Sequence, residues 1–361
     1  VGSLITGGTL DTTNGGASPT GGNISIGEIH VVTGAESYTL TAGPTGDVSI
    51  SGFTYYDGSS AASLSITSAD TFSLPASTLV DLSVVCYGDG TLNGELKCTG
   101  DFSFSGTGTF HSLSNVSTIA GDFAINGGTF IAPTTTLYVS GTFRNNACLD
   151  PAYGTIVFNG ADSEIITGGI LSGKAFYNVV IDSPSGVKTI NFSMDIDGEF
   201  RLQSGTFDLN SYNPAVNIGG DITINGGTII KSSTNSLVTF DGDAVYYYSA
   251  VAGINFGDVV VGASPDIVTL SSDMTCDSLT VTSGDSLVTA GYNIDCNEDV
   301  AIFGTLNATD GTGISTILVG GNWTNNGTFI AGGSTVTFDG SGSISGSSVT
   351  TFNNLYLNTV G

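Results

Sequence analysis

Basic residues are nearly missing from this chain: six Lys and Arg stand against 32 Asp and Glu in 361 residues, and none precedes Lys97. A net charge of −26 makes nucleic acid a poor partner, because the phosphate backbone would be repelled rather than neutralised. Charge of either sign is also scarce, at 11% of residues, so Ser, Thr, Asn and Gly must cover much of the surface. Gln occurs once, at Gln203, and helix formers at amphipathic spacing are missing, which predicts almost pure β-structure. No run of eighteen apolar residues exists, so no membrane span is expected. Only His30 and His111 are present and no C-x-x-C occurs, so neither a zinc site nor any other metal or cofactor is expected. The glycine-rich stretches follow a turn period and carry no Lys, which argues against a phosphate cradle.

What the chain does have is repetition. Residues 119–130 read I-A-G-D-F-A-I-N-G-G-T-F and residues 218–229 read I-G-G-D-I-T-I-N-G-G-T-I. Looser copies open at Cys98, Val139, Ile196, Cys276, Cys296 and Val319. From Cys98 to Ile119 to Val139, from Ile196 to Ile218 and from Cys276 to Cys296, the step is about 20–22 residues each time. One short strand between tight turns, returning at a step of about 21 residues, is the signature of a solenoid that stacks strand on strand. A second motif, T-I-V-F-N-G at 155–160, V-T-F-D-G at 238–242 and T-V-T-F-D-G at 335–340, is answered one coil later by strands opening at Phe176, Phe256 and Phe352.

These spacings predict an all-β, right-handed parallel β-helix (β-solenoid) with coils of about 20–22 residues, roughly sixteen in number. The competing fold is a string of immunoglobulin-like sandwiches, since a larger module recurs from Gly141 to Gly220 to Gly321, at steps long enough for such a domain. A sandwich would not repeat one strand motif at the short step inside each module. Three regions are expected: a glycine-rich N-terminal segment 1–23, flexible or dependent on a partner; a divergent β-rich part 24–97; and regular repeats over 98–361.

Cys276 and Cys296 occupy the same place in consecutive coils, which puts their Cα atoms about 5 Å apart and inside the window for a disulfide. The matching places in an earlier module are Ile196 and Ile218, so the pair is expected to be buried. Cys86 and Cys98, twelve apart, form a second candidate pair, and Cys148 is left over. Paired cysteines imply an oxidising compartment; the alternative is five small buried hydrophobes. Six sequons stand at Asn23, Asn115, Asn191, Asn307, Asn322 and Asn326 and are glycosylation candidates in a secreted chain. The best carboxylate cluster is Asp195, Asp197 and Glu199 with Arg201, alternate residues that could form a stripe with calcium or sugar affinity or simply a solvated strand face. Tyr246 to Tyr248 could stack on sugars or fill a turn and the core. No catalytic constellation emerges.

Residues 321–340, G-N-W-T-N-N-G-T-F-I-A-G-G-S-T-V-T-F-D-G, followed by F-N-N-L-Y-L from Phe352, resemble the β-strand repeats of large secreted surface proteins of bacteria and archaea. Residues 141–182 and 220–262 share the resemblance, which implies parallel β-helix, adhesin-like architecture and carries no catalytic residues; related repeats also look like those of phage tail fibres. A start at Val1 fits a mature secreted product. The expected function is an extracellular or cell-surface structural protein, a self-assembling subunit of a filament, sheath or surface layer, not an enzyme. Its partners would be other copies of itself, joined head to tail or by donation of the N-terminal segment, and glycans. The alternatives are a polysaccharide-binding or polysaccharide-degrading β-helix and a tail-fibre segment.

Overall fold

The computed structural model describes residues 7–32, 36–56, 62–113, 115–168, 175–231, 237–247, 254–262, 265–309 and 314–358, and the backbone of residues 3, 4 and 248. Among them the regular structure is all strand, and the strands pair in parallel. The chain divides into two compact units, Val1–Asn178 and Val179–Gly361. Each is a parallel β-solenoid, with about 14 turns between them, somewhat fewer than the repeat spacing implies.

In the first unit the turns are three-sided. Asp89–Cys98 rounds a corner unbroken: its start pairs with Thr109–His111 and its end with Ser117–Ile119, while Phe102–Gly106 makes the third side and pairs with Phe123–Ile125. Alternation buries every second residue, as in the buried-intermediate-buried pattern of Phe123–Ile125. Because strands stack in register, each interior residue lies on its counterpart one turn away. Phe102 lies over Phe123 and Phe123 over Phe143, with near-parallel rings and centroids 4.8 and 5.3 Å apart. On a neighbouring side Phe110 and Phe130 lie one over the other at 5.2 Å with rings tilted by 33°, and meet the first column edge-on, Phe123 to Phe130 at 5.0 Å. Gly90 sits inside between Phe72 and Phe110 because a Cβ there would fall 1.7 Å from the Phe72 ring; its absence lets those two rings touch at 5.0 Å.

In the second unit three strands also make a turn. Leu279–Val281, Ser286–Val288 and Ile294–Cys296 are followed in register by Val300–Ile302, Thr305–Asn307 and Thr316–Val319, then by Trp323–Asn325, Thr328–Ile330 and Thr335–Phe338. Trp323, the only tryptophan, is fully buried and packs edge-on to Phe329 at 4.9 Å.

The repeated motif turns out to be a corner, and its residues have separate reasons. Its Asp or Asn accepts a backbone N–H from the next turn: Asp101 Oδ1 from Asp122, Asp122 Oδ1 from Thr142 and Asp221 Oδ1 from Val245, each at 2.8 Å, and Asp299 Oδ1 from Asn322 at 2.6 Å. The second glycine of I-N-G-G-T has a left-handed backbone, φ 66° at Gly128 and 85° at Gly227, and its missing Cβ leaves room for the Gly108 or Gly205 carbonyl of the preceding turn. The same corner serves different edges of the prism. Ile196 and Ile218 belong to a column that continues through Phe240 and Val261, whereas Cys276 and Cys296 belong to another that continues through Val319, so these positions share a motif but not a column.

The early region is stacked in the same way with irregular turn lengths. Gly8 is in register with Tyr38, Tyr38 with Leu64 and Leu64 with Leu82, and each of these steps is shorter than the one before, which hides the period from the sequence. Residues 8–11 thus form a strand paired with Ser37–Thr41, and the turn after it is tied by Asp11 to Thr13 and Gly15.

Three substitutions separate column from corner. Phe123→Ala should cost about 3–5 kcal/mol in denaturant unfolding, because the rings above and below cannot collapse onto the gap. Asp122→Ala should cost about 0.5–1.5 kcal/mol, while Asp122→Asn, which keeps the acceptor, should stay close to the parent.

Candidate functional site

The predicted acidic stripe divides in two. Glu199 turns to Arg201, whose Nη2 donates to both carboxylate oxygens at 2.8 Å and whose Nε donates to Oε1 at 3.1 Å. Both side chains are partly exposed, so this pair is worth at most about 1 kcal/mol. Asp195 and Asp197 instead face a residue that sequence reading missed, Asp241. Register places Ile196, Ile218 and Phe240 in one column, so Asp197, Gly219 and Asp241 follow each other in the next. The signal was present in the equal steps from Asp197 to Gly219 to Asp241, but Asp241 read as the end of a different motif.

Burial pushes the Asp241 carboxyl up to about 6, and the charges of Asp195, Asp266 and Asp197 add to it against one backbone hydrogen bond. Asp195 is also raised, by burial and then by Asp197. Within this carboxylate group Asp195 and Asp241 are half-buried and Asp197 is exposed, and Asp241 is the member that takes up a proton in mildly acidic solution. Among the described residues no three His, Cys, Asp or Glu groups converge to hold a metal ion.

A second polar cluster was also missed. Burial opposes ionisation of Asp277, but hydrogen bonds from Lys231, Asn297 and Asn255 outweigh it and hold the carboxyl below its ordinary value. Lys231 thereby ties the end of the strand Thr228–Ile230 to the corner after Met274–Cys276. Tyr246 and Tyr247 do not share a face, since strand alternation sends Tyr246 inward against Phe240 and Phe256 and Tyr247 outward; the side chain of Tyr248 lies outside the described residues.

Cys276 and Cys296 are brought together, in register on adjacent strands with sulfurs 3.0 Å apart and both side chains buried. Cys86 and Cys98 are not brought together. Cys98 lies in the column of Leu79 and Ile119, whereas Cys86 lies between Ala69 and Gly106 on another side and its thiol donates to the Asp70 carbonyl at 3.0 Å. Their separation is little more than half a turn, so the chain has moved to a different side. Burial raises these two thiols to about 11 and about 12. Cys148 is partly exposed on a third strand.

Of the sequons, Asn23, Asn115, Asn322 and Asn326 are exposed, and Asn191 and Asn307 are half-buried. Asn322 and Asn326 accept from Ser343 and Ser347 of the following turn, and Asn23 accepts the Asp47 N–H, so these amides serve the corner ladder through their oxygens. Beside the bulges of Asn178–Asn191 the flank carries a hollow lined by Ser185, Ser204, Thr206 and Thr228, with the Ser204 hydroxyl donating to the Asp182 carboxylate at 2.8 Å.

The Asp241 proton gives a testable pH dependence. Its folded value, about 6, lies above the unfolded 3.8, so its contribution to stability is full below about pH 4 and is lost as pH rises through about 6. Asp241→Asn should therefore raise the melting temperature most above pH 6, and the gain should shrink towards pH 4, as measured by thermal unfolding of parent and variant across that range.

Comparison of this chain with protein-family models, curated proteins and solved structures finds no match.

Proposed function

We propose that this chain is a secreted structural protein, a subunit of an extracellular filament, sheath or cell-surface layer, that joins other copies of itself through the ends of its solenoid. The observation that carries the reading is where the acidic side chains are used. Asp81, Asp101, Asp122, Asp221, Asp243, Asp273 and Asp299 each accept a backbone N–H from a neighbouring turn. Chemistry on a substrate needs polar groups that converge, whereas these are spread along the corners and spent on holding turn to turn.

The last described strand supports the reading of assembly through ends. Asn354–Leu357 pairs with Thr335–Phe338 on one edge, and among the described residues nothing pairs with its other edge. Leu355, Tyr356 and Leu357 are 42%, 61% and 68% exposed, and Ile344 and Val349 of the same turn are exposed as well. An edge with free N–H and C=O groups and an apolar column is a template for a further parallel strand. The largely exposed Gly8–Asp11 of a second copy is the strand we assign to it. The surface of hydroxyls and amides, the net charge of −26 and the likeness to secreted β-strand repeats support an extracellular, adhesin-like setting, in which the exposed sequons and the hydroxyl-lined hollow would meet glycans.

Light scattering and electron microscopy of the purified chain test this reading. Concentration-dependent growth into fibres or layers is expected, and Leu355→Lys with Leu357→Lys should hold the protein monomeric while leaving its β-sheet circular dichroism intact. A parent chain that stays monomeric at high concentration overturns the assembly reading.

A further inference from the structure

We propose that Cys276 and Cys296 form a disulfide that staples two consecutive turns of the second unit, and that the other three cysteines stay free. The strands Met274–Cys276 and Ile294–Cys296 are in parallel register, with Cys276 directly opposite Cys296. Neighbouring strands lie about 4.8 Å apart, inside the Cα separations that a disulfide spans. The two sulfurs are already in contact at 3.0 Å, about 1 Å beyond a bond. Both residues are at most 1% exposed, and the column continues into Val319, Phe338 and Leu357, so the pair sits in an apolar shaft.

Bond formation needs an oxidant, and the class that fits is a small disulfide such as oxidised glutathione. One cysteine, as thiolate, attacks a glutathione sulfur and expels one glutathione thiolate. The second cysteine, as thiolate, then attacks the first cysteine's sulfur, forms the S–S bond and expels the other glutathione. Two protein thiol protons are lost and one glutathione disulfide is reduced to two thiols. Mutual hydrogen bonding and burial raise the Cys296 thiol well above its ordinary value, so exchange is slow in the closed fold and proceeds while these turns are open. Once closed over, the bond is shielded from reductant in the same way.

The test uses the full chain, purified reduced and incubated with oxidised glutathione near its unfolding midpoint, then denatured, alkylated and analysed by intact mass and peptide mapping. The expected result is a fall from five alkylated cysteines to three, with a linked peptide joining Cys276 to Cys296. The oxidised chain should also unfold at higher denaturant than the reduced one, a difference that Cys276→Ala with Cys296→Ala abolishes. A Cys296→Ser chain under the same conditions should instead trap glutathione on Cys276, which shows that oxidant reaches the site. Five alkylated cysteines in the parent when that trapping succeeds, or a linked peptide joining any other pair, overturns the proposal.

Discussion

Everything in this protein depends on parallel, in-register pairing between one turn and the next. An antiparallel hairpin sets unlike residues across from each other, but a parallel solenoid sets each residue against its counterpart a turn away. The interior therefore consists of columns, and each column accepts only what can stack on itself. Phe102, Phe123 and Phe143 do so with nearly parallel rings. The Gly90 position does so by removing a side chain so that Phe72 and Phe110 can touch across it.

The same constraint explains a surface that is acidic yet low in charge. Carboxylates at a corner repel their counterparts one strand spacing away, so a continuous Asp column is costly unless each carboxylate is compensated. Here compensation comes from the backbone, since corner residues such as Asp101 and Asp122 each take a hydrogen bond from the turn beside them. Where an Asn stands in the column, as at Asn322 between Asp299 and Ser343, the acceptor is kept and the charge is dropped. Where neither relief is enough, as at Asp241, the carboxyl shifts towards its neutral form.

Stacking also decides which residues meet. Cys276 and Cys296 are one full turn apart and touch; Cys86 and Cys98 are closer in the chain and part company. Asp197 and Asp241 are two turns apart and share a column through Gly219, whereas Asp197 and Glu199, near neighbours in sequence, part company because Glu199 is drawn to Arg201. Proximity in this fold is counted in turns, not in residues.

The sequence alone determined the fold class and the regular turn length, because the alternation of apolar residues and the return of a glycine corner at a short, steady step admit few other folds. It also determined that Cys276 and Cys296 would face each other, as both open the same motif one turn apart. Only the tertiary structure decided which side of the prism each motif copy occupies, since one corner type serves several edges and local sequence does not number them. It alone decided the register of residues 24–97, where turns of unequal length erase the period. And it alone brought Asp241 to Asp195 and Asp197, because that contact joins two motifs across turns, and a carboxyl's pKa answers to the charges and burial around it rather than to its neighbours in the chain.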